Sequence, residues 1–116
     1  MTIARTPAHL CDMVAFVREL RAIVGATTVD IYLRQRVLNL AVEKLFINLG
    51  EAAQRVPESE RLKLGDVPWR QIIGLRNILA HGYEQVDHET LFRTVTTELA
   101  AVEMALTRHL GGDVGP

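Results

Sequence analysis

Cysteine and aromatic residues are scarce in this 116-residue sequence, and each scarcity excludes a class of protein. Cys11 is the single cysteine, which excludes an internal disulfide and favours a reducing compartment. Aromatic residues make up 5% of the chain, whereas hydrophobic residues make up 48%. Because much of that apolar content is Leu, Ala and Val, the composition favours helices packed through aliphatic side chains over a sheet.

A strong charge of either sign is also missing. The formal net charge is −1 and the pI is about 6.4, so no overall basic field attracts nucleic acid and any RNA contact has to be local. No stretch approaches the roughly 18 apolar residues that a membrane span needs, and the N-terminus lacks the apolar core of a signal peptide. We therefore expect a soluble, cytoplasmic protein that does not bind membranes.

Several reactive motifs are absent as well. The sequence has no Gly-x-Ser-x-Gly nucleophile elbow and no glycine-rich phosphate loop. His81, Asp87 and His88 are close in sequence, but their spacing matches no established set of metal ligands. The sequence therefore predicts neither a metal site nor a cofactor.

Apolar residues recur at helical spacing in four segments, which predicts an all-α, up-and-down four-helix bundle. The segments run from about Pro7 to Val24, from Val29 to Val56 with a bend near residues 34–36, from Pro68 to His81, and from an N-cap at Asp87 to just before Gly111. Residues 57–67 are predicted to form an irregular, solvated connection. We expect one domain over residues 1–110 and a disordered tail over 111–116. The residues predicted to face the core are Leu10, Met13, Val17, Leu20, Val24, Leu38, Ala41, Leu45, Leu49, Ala52, Val56, Trp69, Ile72, Leu75, Leu79, Leu91, Val95, Leu99, Val102 and Leu106.

The second helical segment is apolar on two sides. Besides its core stripe it carries a second set of apolar residues, namely Leu33, Val37, Leu40 and Ile47. A helix that is apolar on two sides has to bury both. Because a small bundle covers one of them, the other side favours a partner chain, and we predict a homodimer.

The most reactive side chains lie in residues 76–83, at the predicted end of the third helix. Pro68 suits the start of that helix, and Gly82 suits a left-handed residue just past its end. Asn77 and His81 are four residues apart and share a helix face, whereas Arg76 lies about 140° around the axis from His81. A second copy related by two-fold symmetry could bring Arg76 and His81 onto one substrate.

The chemistry of these side chains suits proton transfer beside a phosphate group, although a purely structural role is also open. Histidine takes or gives a proton near neutral pH, and arginine offers a permanent planar donor for phosphate oxygens. In the structural interpretation, Arg76 and Asn77 bond neighbouring carbonyls and His81 caps the end of its helix.

Three stretches of the sequence carry a family pattern: Leu49-Gly50-Glu51-Ala52-Ala53, Pro68-Trp69-Arg70-Gln71-Ile72-Ile73-Gly74-Leu75-Arg76-Asn77-Ile78-Leu79-Ala80-His81-Gly82-Tyr83 and Val86-Asp87. Together they resemble the HepT-like branch of the HEPN superfamily. The resemblance implies a HEPN-like homodimer that acts as a metal-independent endoribonuclease toxin. It implies that Arg76 and His81 are catalytic and that Asn77 orients them.

The resemblance further implies a type VII-like toxin–antitoxin system. In it, a nucleotidyltransferase antitoxin neutralises the toxin by adding AMP to the tyrosine that matches Tyr83. Two positions depart from the family pattern: Phe92 stands where many relatives carry tryptophan, and Gly82 replaces a polar residue.

The expected partners are RNA rather than DNA, the nucleotidyltransferase and a second copy of the chain. Arg34, Arg36 and Arg70 are the residues we expect to contact RNA phosphates if the second and third helical segments line the dimer cleft. The alternative function is a non-catalytic helical module that forms a complex with a nucleotidyltransferase, and a purely structural dimer is a third possibility.

Overall fold

Aliphatic residues at three- and four-residue spacing form helices throughout the chain. The computed structural model describes the backbone of residues 5–82 and 86–111, with side chains from residue 7 onward. Within these ranges the fold is all-helical, which confirms the predicted class, whereas the four-helix bundle and the homodimer stay predictions. The seven helices of these ranges are α1 (Arg5–Gly25), α2 (Val29–Arg34), α3 (Arg36–Gln54), α4 (Glu58–Lys63), α5 (Trp69–His81), α6 (His88–Thr97) and α7 (Leu99–His109).

Helix α3 lies at the centre of the packing. It packs most extensively against α5 and α1, and α1 in turn packs against α6 and α7. The stripes predicted for the first and fourth segments are buried as expected, from Leu10 to Val24 and from Leu91 to Leu106. Because α5 packs mainly on α3, the position of α5 is set by the α3–α5 contact.

The second and fourth predicted segments are each divided into two helices. Gln35 has an extended backbone and separates α2 from α3, at the predicted bend. Across this break the buried side chain of Asn39 donates through Nδ2 to the Tyr32 carbonyl, at 2.8 Å. Glu98 separates α6 from α7, and the periodicity does not reveal this break because the apolar stripe continues through it.

The prediction of an irregular connection over residues 57–67 is wrong in its first half, where α4 forms. Acidic residues lie in the first turn of α4 and basic residues in its last turn, an order that suits the helix dipole. Arg61 fastens α4 to its neighbours: Nε donates to the Val56 carbonyl at 2.9 Å, Nη2 donates to the Gln54 carbonyl at 3.1 Å, and the guanidinium lies 5.8 Å from the ring centre of Trp69.

Part of the second apolar side of α2 and α3 remains uncovered within the chain. Leu33, Val37 and Leu40 are 42%, 76% and 47% exposed, whereas Ile47 is partly buried. This exposed strip is compatible with the predicted partner face. In the described ranges, no helix has both the length and the apolarity needed to cross a membrane. Of the predicted tail, residues 112–116 lie outside the described ranges.

Candidate functional site

Helix α5 carries the candidate catalytic residues in its last two turns. Ile72 and Leu79 are buried and anchor one side of the helix in the core. The helix ends at His81, where the N–H of Gly82 donates to the Ile78 carbonyl at 2.6 Å. The predicted left-handed conformation of Gly82 is wrong, because its φ is −126°.

The Arg76 guanidinium is held by two side chains. Nη1 donates to Asn77 Oδ1 at 3.0 Å, and Nη2 donates to Glu51 Oε2 at 3.4 Å. The Arg76 side chain is 23% exposed, and its Nε is buried with no hydrogen-bond partner in the described part of the chain. These bonds to side chains differ from the carbonyl bonds of the purely structural interpretation. The arginine is therefore oriented at a helix–helix junction while part of its fork still reaches solvent.

A glycine makes room for Arg76. Gly50 is buried on α3 at the point where α3 crosses α5. A Cβ atom at Gly50 would overlap Cβ of Arg76 and would lie 2.8 Å from its Cγ and 3.2 Å from the Ile72 carbonyl. Only glycine lets the two helices approach this closely without rearrangement.

His81 is exposed at the end of α5, one turn beyond Asn77 and on the same helix face. Arg76 projects about 140° away from His81 around the axis, so one copy of α5 presents them in different directions. Tyr83, the predicted AMP acceptor, lies outside the described residues. The structure therefore brings Arg76 and Asn77 together, and it places His81 at an open helix end.

The nearby residues Asp87 and His88 have structural partners. Asp87 caps α6, since its Oδ1 accepts hydrogen bonds from the Glu89 and Thr90 amides at 3.1 and 3.2 Å. The His88 Nε2 lies 3.6 Å from Glu43 Oε2 on α3. No group of three or more His, Cys, Asp or Glu residues within 5–82 and 86–111 is arranged to hold a metal ion.

An open groove runs beside the site, between α4 and α5. We call this cavity of about 1010 Å³ the α4–α5 groove; its lining includes Arg61, Leu62, Trp69, Arg70, Gly74 and Asn77. Gly50 of α3 meets Arg76 of α5, and Gln54, one turn later on α3, borders the groove. One of the candidate catalytic residues thus lies at the edge of a sizeable open cavity.

The three candidate RNA-binding arginines do not form one group. Arg70 is exposed and lines the α4–α5 groove together with Asn77. Arg34 and Arg36 are exposed on either side of the break at Gln35. Since Arg36 begins α3 and Gln54 ends it, they are separated by about 27 Å along the helix axis. Arg34 and Arg36 can join Arg70 on one RNA only if the RNA, or a second copy, bridges that length.

Two residues of the site, Gly50 and Glu51, carry no predicted role. Both lie in the stretch 49–53 that contributes to the family resemblance, yet helical spacing alone does not predict their function. A buried glycine inside an apolar helix is the available signal for a close helix crossing, and a carboxylate next to it is the signal for a partner to a cation.

Comparisons with known proteins converge on one family. The family model described as Ribonuclease HepT-like matches residues 13–108. Among similar proteins, "Putative RNase MJ1380" of Methanocaldococcus jannaschii is 29% identical over 62% of this chain and 66% of its own length. "Putative RNase TTE0752" of Caldanaerobacter subterraneus subsp. tengcongensis is 31% identical over 62% of this chain and 64% of its own length.

A third relative matches over a longer stretch. "Putative RNase MJ0125" of Methanocaldococcus jannaschii is 23% identical over 83% of both chains. The chain covers slightly less than two thirds of the first two relatives, at 66% and 64%. No solved structure matches the chain significantly.

Proposed function

The chain belongs to the HepT-like ribonuclease family, and from this premise we propose that it is a metal-independent endoribonuclease toxin with Arg76, Asn77 and His81 in its active site. The observation that carries the proposal is the arrangement of Arg76, whose guanidinium is oriented by Glu51 and by Asn77, a residue that itself lines the open α4–α5 groove. An arginine with a purely structural role would need neither a partly exposed guanidinium nor a neighbouring groove.

The proposed reaction is a transesterification at phosphorus. One His81 takes the proton of the ribose 2′-hydroxyl, and the 2′-oxygen then bonds to phosphorus while the bond from phosphorus to the 5′-oxygen breaks. The departing 5′-oxygen takes a proton from a second imidazole. Arg76 stabilises the negative charge that builds on the phosphate oxygens. The products are a 2′,3′-cyclic phosphate and a 5′-hydroxyl, so protons and electrons balance without a further reactant.

A homodimer supplies both imidazoles in this proposal. His81 and Arg76 project in different directions from one α5, so a two-fold pair of α5 helices is needed to bring two His81 and two Arg76 to one shared cleft. The exposed apolar residues Leu33, Val37 and Leu40 support a partner surface on α2 and α3, because a contiguous exposed apolar strip commonly marks an interaction site.

Regulation by a nucleotidyltransferase antitoxin completes the proposed type VII-like system. Tyr83 is two residues after His81 in the sequence, and an AMP group on its hydroxyl would add bulk and negative charge to the chain just past the end of α5. Such a group would compete with an RNA phosphate for Arg76. Intact-mass measurement after incubation with the cognate nucleotidyltransferase and ATP should reveal AMP-sized additions that Tyr83→Phe abolishes.

RNA cleavage in excess EDTA tests the catalytic proposal. Wild type, Arg76→Ala and His81→Ala are compared with His109→Ala, which removes a histidine of α7 that lies 3.6 Å from Glu60 of α4 and has no assigned role in the reaction. We expect wild type and His109→Ala to cut and to leave 2′,3′-cyclic phosphate ends, and we expect both site variants to lose activity by about 100-fold or more. Equal cleavage by all four proteins would identify a contaminant and would refute the assigned site.

The non-catalytic module stays the second candidate. The same exposed strip that supports a dimer would also suit a nucleotidyltransferase partner. If wild type fails to cut RNA while binding the nucleotidyltransferase without modification of Tyr83, the module becomes the better interpretation. Growth arrest on expression that His81→Ala relieves would instead favour the toxin.

A further inference from the structure

Gly74 lies in the middle of α5, and no contact within residues 5–82 and 86–111 accounts for it. A Cβ atom built at Gly74 meets no atom within 4 Å, in contrast to Gly50 on the facing helix. Glycine in the middle of a helix is less stable than alanine, because its backbone loses more freedom on folding. The helix therefore carries a destabilising residue where its own neighbours would tolerate a side chain. A bare backbone of this kind suits the close approach of another molecule.

Gly74 also lies on a strip of functional groups. Arg70, Gly74, Asn77 and His81 fall within about 60° of one another around the α5 axis, and Arg70 precedes His81 by about 16 Å along it. Arg70, Gly74 and Asn77 line the α4–α5 groove, and His81 continues the same face beyond it. The groove and the proposed active site are thus parts of one continuous surface.

The charge and the walls of the groove match a single nucleic-acid strand. Its lining contains two cations, Arg61 and Arg70, and one carboxylate, Glu58. Leu62, which is 77% exposed, and the partly buried Ile73 supply apolar surface, together with the part of Trp69 that Arg61 leaves uncovered. A cationic groove with apolar platforms is the combination that binds single strands, because the phosphates meet the cations and the base faces meet the platforms.

The rigidity of the groove follows from Arg61. Its guanidinium is engaged with the Val56 and Gln54 carbonyls and lies over Trp69, so it fixes the wall formed by α4. Arg70 is exposed and takes part in none of the ion pairs of residues 5–82 and 86–111. Arg61 therefore shapes the groove, and Arg70 is the cation available to a phosphate.

We propose that the α4–α5 groove holds the single-stranded RNA that flanks the scissile phosphate, with Arg70 on a phosphate and with the strand crossing the bare backbone at Gly74 to reach Asn77 and His81. This inference rests on the proposed ribonuclease function and adds to it the path of the substrate. The competing occupant of the same surface is a second copy of the chain.

The test measures RNA binding apart from cleavage. His81→Ala serves as the parent, and the binding of a fluorescein-labelled 12-nucleotide single-stranded RNA is followed by anisotropy at several salt concentrations. Gly74→Leu fills the open backbone and Arg70→Gln removes the cation, each in the parent. The matched controls are Ala101→Leu and Arg108→Gln, which make equivalent changes at exposed positions of α7. Light scattering and thermal melting are recorded for every variant.

We expect Gly74→Leu and Arg70→Gln to weaken RNA binding by roughly five- to tenfold and the controls to leave it unchanged. Arg70→Gln should also reduce the slope of log K against log salt by about 0.7, the value for one phosphate contact on a single strand. Gly74→Leu should melt no lower than its parent, because an added Cβ meets no atom within 4 Å and leucine is a better helix former than glycine.

The remaining outcomes separate this inference from the proposed function. Unchanged RNA binding by both groove variants would refute the proposal that the groove holds RNA. Cleavage by wild type would still support the ribonuclease function. A fall in molecular mass caused by Gly74→Leu would assign the surface to a second copy and overturn the RNA path. Groove-dependent binding without wild-type cleavage would keep the groove and refute the nuclease. Absence of both binding and cleavage would refute both.

Discussion

Gly50 and Arg76 are in direct contact where α3 crosses α5, and the contact exists because Gly50 has no side chain. The backbone of α3 lies against the Cβ and Cγ atoms of Arg76, and the Ile72 carbonyl borders the same spot. The next residue on α3, Glu51, accepts a hydrogen bond from the Arg76 guanidinium. One short stretch of α3 therefore sets both the distance between the helices and the orientation of the arginine.

Gly50→Ala is expected to destabilise the protein and to disturb the site. The added methyl group overlaps Arg76 and approaches the Ile72 carbonyl, so α3 and α5 have to separate. Overpacking of this kind costs about 1–3 kcal/mol, to be measured by urea denaturation. RNA cleavage should fall further than the folded fraction does, since Arg76 moves with the helix.

The matched control is Gly25→Ala at the end of α1, where an added Cβ meets nothing within 4 Å. It should change the free energy of unfolding by less than about 0.5 kcal/mol. If Gly50→Ala proves as stable as Gly25→Ala, the α3–α5 crossing adapts easily, and Gly50 does not set the helix separation.

Asn39→Leu is expected to weaken the junction between α2 and α3. The Asn39 side chain is 5% exposed, and its amide is the donor that ties the Tyr32 carbonyl across the break at Gln35. Leucine keeps the approximate volume and removes the donor, which should cost about 1–3 kcal/mol in urea denaturation. Asn48→Leu, at a partly exposed position of the same helix, should cost less than half as much. Equal effects would show that the buried hydrogen bond contributes little.

The sequence predicts the fold correctly for helices that bury a single apolar face in the core. The residues from Leu10 to Val24 and from Leu91 to Leu106 are buried because their spacing keeps them on one helix face. Apolar spacing does not predict helix α4, because α4 has no apolar stripe. Its acidic first turn, its basic last turn and the contacts of Arg61 stabilise it instead. Apolar spacing does not predict the break at Glu98 either, because the apolar stripe continues from α6 into α7 without a gap.

The site could be predicted only as far as local spacing determines it. Helical geometry places Asn77 and His81 on one face and Arg76 about 140° around the axis from His81, and the observed α5 has this geometry. The role of Gly50 and the pairing of Glu51 with Arg76 depend on how α3 crosses α5, which no local pattern encodes. The conformation of Gly82 was mispredicted because glycine permits a left-handed end without requiring it.

The start of α6 should weaken in acid because of Asp87. A hydrogen bond from the Thr90 hydroxyl, followed by one from the Thr90 amide, lowers the pKa of Asp87 below its ordinary value of 3.8. A lowered pKa means that the carboxylate contributes stability above its ordinary, unfolded-state pKa, and that this contribution disappears as the pH falls through the lower folded-state pKa.

Asp87→Asn should therefore flatten the fall in melting temperature below about pH 4, because asparagine also caps helices but does not titrate there. Asp87→Ala should lower the melting temperature by a few degrees at pH 7, because the Glu89 and Thr90 amides lose their acceptor. A pH profile of Asp87→Asn that matches wild type would show that the carboxylate is not linked to folding.

Glu51 is expected to act as a positioning residue through Arg76. Its carboxylate accepts from Nη2 at 3.4 Å, while Asn77 accepts from Nη1 on the same guanidinium at 3.0 Å. Glu51→Ala removes the acceptor of Arg76 Nη2, and a misplaced guanidinium should lower kcat for RNA cleavage by roughly tenfold. KM should change little, because Glu51 is itself an anion and does not attract RNA. Glu51→Gln should recover most of kcat, since its amide oxygen still accepts the hydrogen bond.

Stability distinguishes this role from a structural one. The Glu51 side chain is 38% exposed, so Glu51→Ala should shift the free energy of unfolding by less than about 1 kcal/mol. Glu89→Ala is the matched control, because it breaks the exposed pair of Glu89 with Arg93 on α6 and should leave kcat unchanged. If Glu51→Gln is as slow as Glu51→Ala, the negative charge itself matters. If neither variant slows cleavage, Asn77 alone orients Arg76, and the contact with Glu51 is incidental to catalysis.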